Sequence, residues 1–157
     1  MSLVVEYQQA RREEDVARLR RMLALRTLVA TGSSQREIAD ALGVSQPAVS
    51  QQLKTTRTVT EVHPETLLAA AAPILVDVAR SKGFHRLAVF GSVARREARV
   101  DSDIDLLVDA PAGAGIKELV ELREIFEEIL GRPVDLVTYG GLKPTIDADI
   151  LTEAVLL

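Results

Sequence analysis

Phe90-Gly91-Ser92-Val93-Ala94-Arg95-Arg96-Glu97-Ala98-Arg99-Val100-Asp101-Ser102-Asp103-Ile104-Asp105-Leu106-Leu107-Val108-Asp109 is the stretch on which the fold turns. Before it, Arg86 to Phe90 reads as a buried strand, and Ile104 to Val108 reads as a second. Gly91-Ser92 follows the first strand and opens a short helix. Backbone N–H groups there can hold phosphate oxygens, with the Ser92 hydroxyl as one more donor. Asp103 and Asp105 alternate on the next strand, so both side chains point to one face. Two carboxylates that close repel each other unless a cation sits between them. The chain has no Cys, and oxygen-only ligands favour Mg²⁺ or Mn²⁺.

Further along, Pro133-Val134-Asp135-Leu136-Val137 contains a third strand, Val134 to Thr138. Asp135 stands there among apolar neighbours, and burial of a lone Asp is costly unless it is paired or metal-bound. It is the natural third carboxylate. Between the strands, Ile116 to Leu130 reads as a helix with Leu119, Leu122, Phe126 and Ile129 on one face, capped by Gly131. Its Glu118, Glu121, Glu124, Glu127 and Glu128 read as a solvated face. Upstream, Glu65 to Lys82 is an apolar helical stretch that Pro73 should kink or divide. A last short helix is expected near Asp147 to Val155. His63 and His85 read as surface or capping residues, and Asp101 and Asp109 as solvated strand ends.

The N-terminal part is of another kind. Glu6 to Ala30 reads as helix, followed by Gln35 to Leu42 and, from Gln46 to about Lys54, a third helix with Pro47 in its first turn. Ser34 and Ser45 are cap candidates, and Gly43 breaks the chain between the last two. Helix, Gly-centred turn and helix make the helix-turn-helix geometry. Ile38 and Leu42 supply the apolar stripe of the first of these helices, and Val44, Val49 and Leu53 that of the turn and the second. Gln46, Pro47, Ser50, Gln51 and Lys54 then face outward, where Gln can read adenine edges in a major groove. A single small module binds DNA weakly, so specific binding would need a dimer.

The composition bounds these readings. The chain has 157 residues, 47% apolar and 27% charged, enough for one domain or two small ones. Aromatics are 3%, so the core is aliphatic. The net charge of −4 divides unevenly: residues 1–60 carry 9 Lys and Arg against 6 Asp and Glu, and residues 61–157 carry 10 against 17. A basic first part and an acidic second part suggest modules with different partners. No apolar run reaches the length of a membrane span, no signal-peptide pattern is visible, and the lack of Cys fits a reducing cytoplasm. The expected fold class is therefore α+β. A helix-turn-helix module over residues 1–54 and a Thr-rich linker over 55–64 precede a small α/β domain with a short mixed sheet over 65–157.

Gly91-Ser92, ten residues, then Asp103-x-Asp105 resembles the signature of nucleotidyltransferases of the DNA polymerase β type, most of all the minimal nucleotidyltransferases of bacteria and archaea. The later text resembles them too: Leu130 to Thr138, Leu142-Lys143-Pro144, Ile150-Leu151 and Glu153-Ala154-Val155. One departure is Arg96, where the family often has Gly. The segment Ser34 to Lys54 is similar to bacterial helix-turn-helix regulators.

The resemblance implies Mg²⁺-dependent transfer of a nucleoside monophosphate, with ATP or another nucleoside triphosphate as donor and a hydroxyl as acceptor. It implies Asp103, Asp105 and Asp135 as catalytic and metal-binding residues, and Gly91, Ser92 and Arg95 as the nucleotide contacts. It further implies an antitoxin paired with a helical HEPN-type toxin, its DNA-binding module serving self-repression. A transcriptional regulator whose second domain only binds nucleotide or mediates assembly is the alternative.

Overall fold

The computed structural model describes residues 2–55 and 59–157. Part of the expected linker, residues 56–58, lies outside the described residues. The chain runs α1 (Leu3–Ala30), α2 (Gln35–Leu42), α3 (Gln46–Lys54), α4 (Pro64–Ser81), β1 (His85–Phe90), α5 (Gly91–Ala94), β2 (Ile104–Asp109), α6 (Ile116–Leu130), β3 (Val134–Thr138), α7 (Ala148–Glu153) and β4 (Val155–Leu156). The architecture is α+β, as expected. Among the described residues no helix is long and apolar enough to cross a membrane.

Four strands form one mixed sheet in the order β3-β2-β1-β4. β1 pairs antiparallel with both β2 and β4, and β2 pairs parallel with β3 through the crossover helix α6. The interior strands β1 and β2 carry apolar residues on both faces, because both faces are covered. One face meets α4 and α6: Leu67, Leu75, Leu106, Leu122, Phe126 and Ile129 share this core. The other face holds a smaller cluster, in which Ala88, Phe90 and Leu107 meet Tyr139, Leu142 and Ile150.

α1 contributes to two cores. Leu23 joins the core beneath the sheet, whereas Leu25 packs with Ile38, Ala39 and Val49 of α2 and α3. Arg26 fastens the arrangement: Nε donates to the Ile129 carbonyl at 2.8 Å and Nη2 to the Glu128 carbonyl, satisfying the open C-terminal end of α6. Ser34 starts α2 with a reciprocal capping box to Glu37, and Gly43 ends it in left-handed backbone, φ +67°. Ser45 caps α3, with Pro47 in its first turn.

Several local expectations are corrected. Leu42 and Val44 do not line a core; they are 55% and 42% exposed, because Leu25 and Val29 of α1 fill the space facing Ile38 and Val49. Pro73 does not divide α4, which runs unbroken from Pro64 to Ser81. The carbonyl four residues back, on Ala69, loses its donor at an exposed position where water can replace it. Val155 belongs to a strand rather than to the last helix, since the chain turns there to pair with Ala88 and Val89.

Candidate active site

Three elements converge beyond the end of β1. The chain leaves Phe90 and turns through Gly91 at φ +70° into the short helix α5. Across the β1–β2 pairing, Phe90 stands opposite Asp105. Asp105 is pressed so closely against the turn that a Cβ on Gly91 would lie 2.0 Å from its Oδ2. Glycine is required there on two counts, the left-handed backbone and the approach of the carboxylate.

On the other side, Asp105 stands in register with Asp135 of β3. Neighbours in register on parallel strands share a face, so the third carboxylate comes beside the second. Asp103 lies two residues before Asp105, just outside the strand. Its turn is held by Arg132, whose guanidinium donates to the carbonyls of Val100, Ser102 and Val62 at 3.0, 3.3 and 2.8 Å. Burial, and then the charges of Asp135 and Asp103, push the Asp105 carboxyl above the usual carboxylate range. Asp105 thus feels the charge of both other aspartates.

Asp135 is not buried, however. β3 is an edge strand, with Val134 and Leu136 turned to the core and Asp135 exposed. Burial therefore does not force a partner on Asp135, which instead stands beside Asp105.

Arg95 caps α5 and is bound on two sides, to Glu97 at 3.1 Å and to Glu153 at 2.9 Å. From sequence, Glu153 is named only within the family-like run Glu153-Ala154-Val155 and is given no role. Its Oε1 also accepts the Gly91 N–H at 2.8 Å, although 62 residues separate the two. Ser92 is half-buried, and its hydroxyl makes no hydrogen bond among the described residues. Arg96 follows at φ +58°, a conformation glycine adopts freely, which accounts physically for a glycine preference at this position. Its side chain lines a shallow groove with Glu65, Leu68 and Ala69. His63 caps α4, accepting from the Glu65 N–H while Nε2 sits 3.0 Å from the Ala98 carbonyl.

A hard divalent cation fits this donor set. The groups are all carboxylates, and the charged form of Asp105 is disfavoured by burial and then by its neighbours' charge. Among the described residues no three acidic, His or Cys side chains by themselves surround one ion.

The small mixed sheet with its helices matches a nucleotidyltransferase fold, and the chain belongs to the nucleotidyltransferase domain family, which matches residues 75–157. Membership implies a nucleoside triphosphate as substrate. A Methanocaldococcus jannaschii chain named "putative protein adenylyltransferase" is 40% identical over 81 residues, covering 52% of this chain and 87% of its own length. Protein adenylyltransferase MntA of Thermococcus cleftensis is 42% identical over 73 residues, 46% of this chain and 74% of its own. A solved structure described as a "putative minimal nucleotidyltransferase" superposes with a TM-score of 0.54 at 39% identity, covering 59% of this chain and 95% of that one.

Proposed function

We propose that this chain transfers AMP from ATP to a hydroxyl on a partner protein and releases pyrophosphate. The observation that carries the reading is the register of Asp105 beside Asp135, with the Asp105 carboxylate pressed against Gly91. On this reading the Gly91–Arg95 turn, through Ser92 and Arg95, would meet the phosphates, and Asp103, Asp105 and Asp135 would form the acidic side. Mg²⁺ or Mn²⁺, when bound, would offset the charge of triphosphate and carboxylates together. Ser92 offers a free hydroxyl to a phosphate oxygen. Asp135 is exposed on an edge strand, where an incoming acceptor can reach it. Its carboxylate would take the hydroxyl proton as that oxygen attacks the α-phosphorus and the bond to pyrophosphate breaks.

The acceptor, on this reading, is macromolecular. Relatives named protein adenylyltransferases support a protein acceptor. The family resemblance points to a helical HEPN-type toxin as partner, with this chain as antitoxin. α2 and α3 would serve DNA binding and self-repression. The capped α2, the Gly43 turn and the exposed Gln46, Pro47, Gln51 and Lys54, with half-buried Ser50, support that role.

The test is transfer of label from α-labelled ATP to a co-expressed helical partner in Mg²⁺. Wild type should label the partner and release pyrophosphate, and Asp103→Ala should not. No label with wild type, or equal label with the variant, would overturn the enzyme reading. Operator binding should weaken steeply with salt, since phosphate contacts release counterions. A flat salt response would remove the DNA-binding role.

A further inference from the structure

α5 has four residues, too few to hold its own shape, because one helical turn fixes many dihedrals for little hydrogen bonding. Its position must be imposed from outside. One carboxylate reaches both of its ends. Glu153 Oε1 accepts the Gly91 N–H at the start at 2.8 Å, and Oε2 accepts from Arg95 Nη1 at the end at 2.9 Å.

We infer that Glu153 is a positioning residue for nucleotidyl transfer, clasping the Gly91–Arg95 turn at both ends so that Ser92 and Arg95 are held at a fixed place relative to Asp105. The inference rests on the proposed function for its catalytic consequence, but not for the clasp itself.

The surroundings favour a fixed clasp. The Glu153 side chain is 21% exposed, whereas Arg95 is 45% exposed and Glu97, its other partner, 67%. Glu153 is thus the anchored member of the trio. Its anchor is the end of the sheet: Glu153 closes α7, and two residues later Val155 pairs with Val89 of β1. β1 leads directly into Gly91, so the strand, the turn and the clasp form a closed loop of contacts. The bonds are charge-assisted, the stronger class of hydrogen bond. With the Gly91 N–H taken by Glu153, the Ser92 hydroxyl remains for a phosphate oxygen. Glu153 then acts through the turn, without touching the nucleotide.

Two measurements test this on the full chain. The first needs no nucleotide: hydrogen exchange of the Gly91–Glu97 segment in wild type, Glu153→Ala and Glu153→Gln. Glu153→Ala should exchange faster in this segment alone, with β2 and α6 protected as before, and Glu153→Gln should lie between, since its amide oxygen can still accept the Gly91 N–H. Unchanged exchange in Glu153→Ala overturns the clasp, whether or not the protein proves to be an enzyme. The second is ATP-dependent transfer. Glu153→Ala should raise KM for ATP about tenfold, the scale of one charge-assisted hydrogen bond, with a smaller change in kcat. Glu153→Gln should recover part of the loss. Tighter ATP binding in Glu153→Ala would show that the carboxylate competes with phosphate instead, and would overturn the positioning role. Activity lost in wild type itself would count against the proposed function and leave the exchange result standing.

Discussion

Arg96 and Arg86 form a natural pair for weighing backbone strain against side-chain contacts. Both are in left-handed backbone, at φ +58° and +54°. A side chain in that conformation costs about 1–2 kcal/mol. Glycine removes the cost but widens the unfolded ensemble, which returns about 0.4–1 kcal/mol. For an arginine whose side chain contributes nothing else, replacement by glycine should therefore stabilise by roughly 0.5–1 kcal/mol.

Arg96 meets that condition. It is exposed, and its guanidinium makes no ion pair or hydrogen bond among the described residues. Arg86 does not. Its guanidinium carbon sits 4.1 Å from the centre of the Tyr139 ring, and Nη1 lies 3.6 Å from Asp109. An exposed cation–π contact contributes about 0.5–1 kcal/mol and an exposed ion pair up to about 1 kcal/mol. Those losses cancel or exceed the relief of strain. Arg96→Gly should raise stability by roughly 0.5–1 kcal/mol, and Tm by about 1–4 °C for a chain of this size. Arg86→Gly should leave stability unchanged or lower. Urea unfolding of both variants, with m compared against wild type, measures the difference. Destabilisation by Arg96→Gly, or equal shifts in the two variants, would refute the reasoning.

Four further outcomes follow from the same geometry. Gly91→Ala places a methyl where the Asp105 carboxylate stands, so the site must shift, and nucleotide transfer should fall about 100-fold or more while circular dichroism stays native. Arg26→Ala frees the carbonyls of Glu128 and Ile129 at the end of α6 and should cost about 1–3 kcal/mol by urea titration, with Arg26→Lys recovering part. Asp105→Asn should raise Tm in metal-free buffer at neutral pH. Burial and neighbouring aspartates raise this carboxyl in the folded chain, so its ionisation weakens folding as pH rises through the carboxylate range, and the gain should vanish in acid. Glu153 is shifted the other way, lowered by Arg95 and then by the Gly91 N–H. Its contribution is complete above the ordinary carboxylate pKa and lost as pH falls through the lower folded value, so the Tm advantage of wild type over Glu153→Gln should shrink on acidification.

What could be read from the sequence is what lies close together along it. Gly91, Ser92, Asp103 and Asp105 fall within the one passage that leads from β1 into β2. Asp135 was legible as a strand residue but not as an exposed one, because strand order, which put β3 at the edge, depends on a pairing 30 residues apart. Leu42 and Val44 misled because apolar spacing says which residues can enter a core, not how much partner surface awaits them. The cause lies in α1. Leu23 and Leu25 are two residues apart, about 200° around a helix, and they enter different cores. A helix serving two cores is apolar on both sides, and its periodicity blurs.

Glu153 was hidden for a different reason. A glutamate at the end of a short helix, even in a family-like run, carries no local sign of what it holds. Its role arises only when β4 returns to the edge of β1 and carries the preceding residues over the Gly91 turn. The Gly-Ser and Asp-x-Asp motif therefore specifies where the aspartates lie relative to the turn, whereas the turn's own support comes from the far end of the chain. A truncation that removes Val155 and Leu156 would leave every aspartate of the motif in place. It should nevertheless release the clasp, and the same acceleration of exchange at Gly91–Glu97 should follow as in Glu153→Ala. If a chain lacking β4 kept full protection there, the support would have to come from α7 packing on its own.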